Sequence, residues 1–495
     1  MRILLVVYDN DSYIHSSPMG LMYIAACLEK EGHEVKIFDT SIERSVKKYI
    51  NYLNNFKPDA VGISCVTSTV YSAWDTAEIV KKNSKAKVFL GGDHVTFLPG
   101  ESLFCCEYVD YIIRGEGEIT TVELVKNLND IQKIKNIKGL SYRDGKKIVH
   151  NPPRGWIKNL DSLPFPSWHL VDMYKYTSIV GNSVTMFSSR GCPVGCSFCA
   201  SSRKCGLKWR SRSPENLFEE MRKLMTSYPK LDNIIFLDDN FMWDLKRVKR
   251  FCDILINNKS KVEWYCQGRA DTIMKGGISL LKKMKVAGCK GIQIGVETPN
   301  KAHLAEINKG IDENQGADAV RLVQKTGIFV RATYLFGFEN ESKEEIEKTY
   351  NFMKDLDTMF AQVGIITPFP GTPLFESWKN KLNTHDWRKF TITHQIIDSN
   401  VDLEREISKV FLKYVLRPSY LARTRKEKLN SSWTIRTIFY PMIKSITGNK
   451  HDFMYSFKPI KWLKKSDNYW KKYILTKNIT FERCWNSNKP EIEYY

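Results

Sequence analysis

The sequence predicts an α/β chain: a doubly wound parallel sheet, then a partial (β/α) barrel of six strands, then a mainly helical C-terminal region. Three observations carry this expectation. Short apolar segments alternate with amphipathic ones over residues 1–150 and again over 183–373, the pattern of parallel strands joined by helices. A stretch dense in proline and aromatics (Pro152-Pro153, Leu163-Pro-Phe-Pro166, Trp168) separates the two series, so 151–182 reads as an ordered linker. Over 374–495 the alternation is lost.

In the first series, strands are expected at 3–8, 34–38, 60–64, 87–91 and 111–114, and helices near 19–31, 70–82 and 119–127. A sheet of this kind binds ligands beyond the carboxyl ends of its strands. The loops there are 10–18, 65–69, 92–99 and 115–117, whose glycines and small polar residues let a large ligand approach the backbone. The other reading of these loops, as plain strand-to-helix turns, stays open on pattern alone. In the second series, strands are expected at 184–189, 233–237, 263–267, 291–296, 330–336 and 362–367, with helices at 214–227, 244–257, 272–287, 315–326 and 344–356. Six right-handed crossover units fall short of a full eight-stranded barrel, and reactive groups belong at the C-terminal ends of the strands.

The 495 residues are 42% hydrophobic and 12% aromatic, which excludes a mainly disordered chain. No apolar run approaches the roughly 20 residues that a membrane span needs. The apolar start, Met1 to Tyr8, stops at Asp9-Asn10-Asp11, too early for a signal peptide, so a buried first strand in a cytoplasmic protein is expected. The net charge is +20, and 401–495 alone holds 20 Lys/Arg against 9 Asp/Glu, interleaved with aromatics such as Trp433, Phe439, Tyr440, Tyr469 and Trp470. Residues 432–444 have the mix of an amphipathic segment on an anionic membrane, or equally of a solvated basic face.

Twelve cysteines are too sparse for a disulfide scaffold, and three of them cluster. Ser189-Arg-Gly-Cys192-Pro-Val-Gly-Cys196-Ser-Phe-Cys199 follows a predicted strand with the spacing C-x3-C-x2-C. Closed zinc sites want four ligands, whereas three thiolates on one loop suit a 4Fe–4S cluster with one open iron. Cys205 is the nearby alternative ligand and is read as a bystander. The loop resembles the signature of the radical S-adenosylmethionine superfamily, including the aromatic Phe198. That resemblance implies that Cys192, Cys196 and Cys199 bind the cluster, whose open iron chelates S-adenosylmethionine and cleaves it to a 5′-deoxyadenosyl radical. Later segments resemble the family's strand-end motifs: Ile235-Phe-Leu-Asp238-Asp239, Trp264-Tyr-Cys-Gln-Gly-Arg269, and Gly291-Ile-Gln293-Ile-Gly295-Val-Glu297, followed by Arg331. The resemblance assigns Phe198, Asp238, Asp239, Arg269, Gln293, Glu297 and Arg331 to S-adenosylmethionine, with Arg269 meeting its carboxylate. One segment departs from the family pattern: Phe338-Glu-Asn-Glu-Ser stands where relatives often carry Pro-Gly-Glu-Thr.

The first domain resembles the cobalamin-binding domain that precedes many such enzymes, through Ser17-Pro-Met-Gly20, Gly32-His-Glu-Val-Lys-Ile-Phe-Asp39, Gly91-Gly-Asp-His94 and Arg114-Gly-Glu-Gly-Glu118. It implies corrinoid contacts at Ser17, Pro18, Met19, Gly20, Thr67, Ser68, Gly91, Gly92, His94, Gly115 and Glu116. Relatives usually have proline where this chain has Asp93. The D-x-H-x-x-G motif that supplies a histidine to cobalt elsewhere is absent.

The branch resembled contains the anaerobic magnesium-protoporphyrin ester cyclase, phosphinate methylases and hopanoid methylases. Methylation of an unactivated carbon is therefore expected, on a hydrophobic, lipid-like or secondary-metabolite substrate. Cyclase-like oxidation or coupling is the near alternative. The reaction implies an electron donor such as flavodoxin or ferredoxin. Two other classes are a tRNA methylthiotransferase, with Cys27, Cys65 and Cys105 holding a second cluster, and a non-catalytic corrinoid carrier.

Overall fold

A computed structural model describes residues 1–7, 16–43, 45–178, 181–426 and the single residues Trp462, Lys465, Ser466 and Asn468. The amphipathic stretch 432–444 and the start of the 10–18 loop lie outside the described residues.

The first sheet is built from β1 (Arg2–Val7), β2 (Glu34–Asp39), β3 (Ala60–Ser64), β4 (Lys87–Gly91), β5 (Tyr111–Ile113), β6 (Leu140–Asp144) and β7 (Lys147–His150), in the order β2-β1-β3-β4-β5-β6-β7. The first five strands are parallel. Their apolar runs follow from burial on both faces. Ile3 and Leu5 pack with the helices Met19–Lys30 and Gly117–Lys126, while Leu4 and Val6 pack with Val46–Phe56 and Val70–Asn83. Because β1 pairs with both β2 and β3, the topological switch falls between the ends of β1 and β3, opening a crevice there.

The sheet also holds elements that the sequence reading passed over. The antiparallel hairpin β6–β7 turns at Asp144-Gly145, with Gly145 at φ +63°, a turn signal visible in the sequence. The helix Val46–Phe56 buries Tyr49, Leu53 and Phe56 and is capped by Ser45.

The second sheet contains β8 (Thr177–Ser178), β9 (Gly181–Met186), β12 (Asn233–Phe236), β13 (Glu263–Gly268), β14 (Cys289–Glu297), β15 (Phe329–Phe336) and β16 (Phe360–Ile365). Its order β16-β15-β14-β13-β12-β9-β8 gives six parallel strands with the short antiparallel β8 at one edge, a curled half-barrel. The segment expected as one strand over 184–189 divides. β9 ends at Met186, and β10 (Ser189–Arg190) turns away to pair with β11 (Arg210–Ser211). The reason lies at the next strand end, where Asp238 accepts hydrogen bonds from Ser188 and Ser189 and draws them out of the ladder.

Strand alternation sorts the barrel residues. Trp264, Cys266, Ile292, Ile294, Val330, Ala332, Tyr334 and Phe336 are buried under the helices, while Tyr265, Gln267, Gln293, Arg331, Thr333 and Leu335 stay partly exposed on the lumen face.

The two sheets are not independent. Met19, Met22 and Tyr23 of the first-domain helix belong to the barrel core. Conversely, Phe375, Trp387, Phe390, Ile396 and Trp462 complete the core over the first sheet. Trp387 is fully buried and donates from Nε1 to Glu101, also fully buried, at 2.8 Å. Among the described residues, no helix is long and apolar enough to cross a membrane. Trp387→Ala is expected to cost about 3–5 kcal/mol, read as a lowered thermal midpoint, because it opens a cavity and strips Glu101 of a donor. An unchanged midpoint would remove this segment from the core.

Candidate active site

The cysteine loop is placed by its neighbours. Gly191 has φ +89°, and a Cβ there would lie 2.1 Å from the Lys208 carbonyl oxygen, so only glycine lets β10 turn into the loop. Asp238 accepts from the Ser188 N–H (2.7 Å) and both serine hydroxyls, and Asp239 accepts from the Gly191 N–H (3.1 Å). The far side is held by Ser197, which donates its N–H to the Ile307 carbonyl (2.9 Å) and accepts from the Leu374 N–H (3.0 Å). Phe198 packs against an apolar group that includes Ile307, Phe338, Leu374 and Trp378.

Cys196 is buried, and Cys192 and Cys199 are partly so. Burial pushes the Cys192 and Cys199 thiols up, and Arg269 opposes this at Cys192. Arg269 Nη1 lies 3.9 Å from the Cys196 sulfur, and Lys309 faces the same sulfur while paired with Glu297. Three thiols on one loop with two cations against one of them fit a group bound by several thiolates, whose negative charge those cations offset. Among the described residues, no three His, Cys, Asp or Glu side chains converge as for a single metal ion. Cys205 is buried beneath Gly191, with burial pushing its thiol up to about 11. Cys65 and Cys105, the ligands imagined for a second cluster, are fully buried in the first-sheet core.

The strand-end residues take more specific roles than the motif resemblance gave them. Asp238 is fully buried and accepts from Ser188 and Ser189, which makes it an anchor of the loop. Arg269 donates to Asp271 (3.1 Å) and the Lys309 carbonyl (2.8 Å), and its Nη1 also lies against the Cys196 sulfur. Glu297, at φ +67°, is held by Lys309 and accepts from Thr333 Oγ1 at 3.4 Å. Gln293 and Arg331 lie side by side farther down the lumen face.

At the first-sheet edge the predicted residues divide into two groups. Ser17 hydrogen-bonds Thr185 of the barrel at 2.6 Å, and Met19 is buried in the barrel core. His94 is fully buried, with Nε2 3.1 Å from Glu101, its ring edge-on to Trp387, and Nδ1 without a hydrogen-bond partner among the described residues. Gly92, at φ +118°, must be glycine because a Cβ would meet the Cys65 carbonyl oxygen at 2.4 Å. Thr67 is buried, and the Gly115 N–H is taken by Thr96. Pro18, Gly20, Ser68 and Gly91 remain at least partly exposed. Gly20 has nothing within 4 Å of where a Cβ would stand, and at Gly91 the nearest atom is 3.9 Å away. These two open glycines at the switch-point edge fit a corrinoid lying against the backbone.

Glu116 joins the two halves of the site. It accepts from Arg190 (3.0 Å), Arg210 (3.0 Å) and the Ile157 N–H (2.7 Å), and Arg190 also pairs with Glu118 at 2.6 Å. Although burial works the other way, Arg210 and Arg190 hold the Glu116 carboxyl below the usual range. A second pair, Lys204–Asp93 at 2.9 Å, uses the residue where relatives have proline. Arg190, Lys204 and Arg210 are bridging residues that sequence reasoning missed. The available signal was the basic residues flanking the cysteine loop, from Arg190 to Arg212, on a chain whose first-domain edge carries Asp93, Glu116 and Glu118.

The departing loop at Phe338 is rebuilt internally. Phe338 stacks on His303 at 4.1 Å, and buried Glu341 accepts from the Gly337 N–H at 2.5 Å. Burial first, then Glu345 and Glu306, pushes the Glu341 carboxyl up to about 7.

Two outcomes are expected here. Glu116→Gln should cost about 3 kcal/mol, because it removes the charge between two largely buried guanidiniums, whereas Glu215→Gln at an exposed pair should shift the thermal midpoint little. Equal effects would refute the buried strap. For Glu341 the folded pKa exceeds the unfolded one, so its protonated form stabilises the fold at low pH. That contribution should fade as pH rises from about 4.5 toward about 7, and Glu341→Gln should flatten the slope in thermal midpoints of the apo protein.

With this geometry in place, comparison with known proteins is direct. The B12 binding domain family matches residues 6–125, and the Radical SAM superfamily matches 186–353. The uncharacterized methyltransferase PH0819 of Pyrococcus horikoshii is 36% identical over 440 residues, covering 86% of this chain and 94% of that protein. The anaerobic magnesium-protoporphyrin IX monomethyl ester cyclase of Cereibacter sphaeroides is 30% identical over 77% of this chain and 63% of its own length. The hopanoid C-3 methylase of Methylococcus capsulatus is 24% identical over 87% of this chain and 85% of its own length. In fold, the chain matches the radical S-adenosylmethionine methyltransferase TsrM of Kitasatospora setae with a TM-score of 0.67 at 16% identity, covering 84% of this chain and 89% of that one. Two domain matches in this order, and a relative aligned over nearly its whole length, establish that the chain belongs to the cobalamin-dependent radical S-adenosylmethionine enzymes, the family of methyltransferases and cyclases that use a 4Fe–4S cluster, S-adenosylmethionine and cobalamin.

Proposed function

We propose that this enzyme methylates an unactivated carbon of a small-molecule acceptor in the barrel lumen, with Cys192, Cys196 and Cys199 holding the cluster. The observation that carries this reading is the strap of ion pairs, Glu116 and Glu118 with Arg190 and Arg210, between the cysteine loop and the first-sheet edge. A radical source and a methyl carrier must reach one carbon, so loops tied to each other suit that task.

When bound, the three cofactors supply the electron, the hydrogen-abstracting radical and the methyl group. The chain's residues do the rest. Asp238 and Asp239 fix the entry to the loop. Arg269 and Lys309 offset thiolate charge at Cys196, and Lys309 holds Glu297 in its left-handed conformation. Phe198, Asp239, Arg269 and Glu297, at the strand ends, would hold S-adenosylmethionine. Pro18, Gly20, Ser68 and Gly91 would hold the corrinoid, with the Gly115–Glu116 turn beside them. The electron comes from a donor of the flavodoxin or ferredoxin class, and the basic C-terminal stretch serves as the contact to an anionic membrane surface at the inner face.

Anaerobically reconstituted protein should hold about four irons and form 5′-deoxyadenosine together with S-adenosylhomocysteine from cell extract acceptors, detected by mass spectrometry. Cys192→Ala should lose deoxyadenosine formation by at least about a hundredfold. Withholding cobalamin should abolish S-adenosylhomocysteine. Deoxyadenosine without S-adenosylhomocysteine in the complete system would replace methylation by cyclase-like oxidation or coupling.

A further inference from the structure

The lumen face carries a shelf of hydrogen-bond donors that neither the cluster nor the corrinoid edge employs. Gln267 on β13, Gln293 on β14 and Arg331 on β15 stand in register on adjacent strands, and Arg331 Nη2 donates to Gln362 Oε1 on β16 at 2.7 Å. All three point to the partly exposed face, while their sequence neighbours Cys266, Ile292, Ile294, Val330 and Ala332 are buried under the helices. Among the described residues the side-chain amides of Gln267 and Gln293 have no hydrogen-bond partner, and Arg331 has no carboxylate partner. The other lumen-side cations differ, since Arg269 is paired with Asp271 and Lys309 with Glu297.

A guanidinium placed inside a barrel with one neutral partner lacks the counter-charge that normally repays its desolvation. Burial accordingly pulls the Arg331 pKa below its ordinary range with no acid to oppose it. The carboxylate next above it on this face, Glu297, is already neutralised by Lys309. Below the shelf the Tyr265 ring lies across Gly291, where a Cβ would come within 2.7 Å of it, and forms an apolar floor. The free donors are the remaining guanidinium N–H groups and the two amides, a fork geometry suited to a planar or tetrahedral oxyanion.

The shelf is also connected to the reaction centre. The next lumen residue up the strand from Arg331 is Thr333, which donates to Glu297, and Glu297 is held by the Lys309 that faces Cys196.

We infer that Arg331, with Gln267, Gln293 and Gln362, binds a carboxylate or phosphate group of the methyl acceptor, so the acceptor is an organic acid or phosphoester anchored by its charge below the cluster. The inference rests on the proposed methylation in the lumen and adds the chemical class of the acceptor. It also moves Gln293 and Arg331 from S-adenosylmethionine to the acceptor. Because S-adenosylmethionine carries a carboxylate of its own, the test must separate the two anions.

Inorganic phosphate is titrated calorimetrically into anaerobically reconstituted holoenzyme saturated with S-adenosylmethionine, and S-adenosylmethionine affinity is measured separately. The expected result is saturable phosphate binding, weakened at least tenfold in Arg331→Gln and partly retained in Arg331→Lys, with S-adenosylmethionine affinity within threefold of the parent. Gln362→Glu supplies an internal carboxylate and should abolish phosphate binding while raising the thermal midpoint, which guards against a variant that merely misfolds. The inference is overturned if the parent binds no phosphate or if both variants bind it as the parent does. It is equally overturned if phosphate competes with S-adenosylmethionine and Arg331→Gln loses S-adenosylmethionine affinity tenfold. Any of these outcomes with deoxyadenosine formation intact removes the anion shelf alone. Loss of deoxyadenosine formation in the parent would instead remove the proposed function.

Discussion

Glu116 sits between two guanidiniums at the end of the first sheet. One of them, Arg190, comes two residues before Cys192, the first cysteine of the loop. Glu116 with two largely buried guanidiniums, one of them shared with Glu118, has a steep, short-ranged energy well, because water screens these charges poorly. The position of the cysteine loop is thereby made dependent on the first-sheet edge, and the barrel strand ends inherit that position through Asp238 and Asp239. The strap is reinforced by Lys204–Asp93, Ser17–Thr185 and the packing of Met19, Met22 and Tyr23 in the barrel core.

Electrostatic compensation continues inward. Cys196 is flanked by Arg269 and Lys309, and each of these is balanced by a carboxylate, Asp271 and Glu297. The arrangement keeps two cations available to a thiolate-bound cluster without leaving either unpaired. Arg331 departs from this balance: its partner is the neutral Gln362, and it has no carboxylate among the described residues.

The C-terminal residues contribute through packing. Trp387, Phe390 and Trp462 fill the core over the first sheet, and the indole N–H groups of Trp387 and Trp462 satisfy the buried acids Glu101 and Asp75. The C-terminal region, in which the sequence shows no strand–helix alternation, is thus partly interior, and no local periodicity ties Trp387 or Trp462 to a sheet so far back in the chain.

Local pattern alone determined the two parallel sheets, the six barrel strands and the three-cysteine loop. Strand alternation, glycine-rich turns and ligand spacing are all short-range properties of the chain. Tertiary structure decided which charges meet. Asp238 and Arg269 stand at the strand ends where the motifs put them, yet their partners are Ser188 and Cys196, supplied by a different crossover unit. His94 and Met19 lie beside the corrinoid-edge glycines in sequence but turn into the core, because a helix end offers two faces and packing chooses between them. The Glu116 strap joins residues more than 70 positions apart, and no spacing rule along one strand or helix reaches that far.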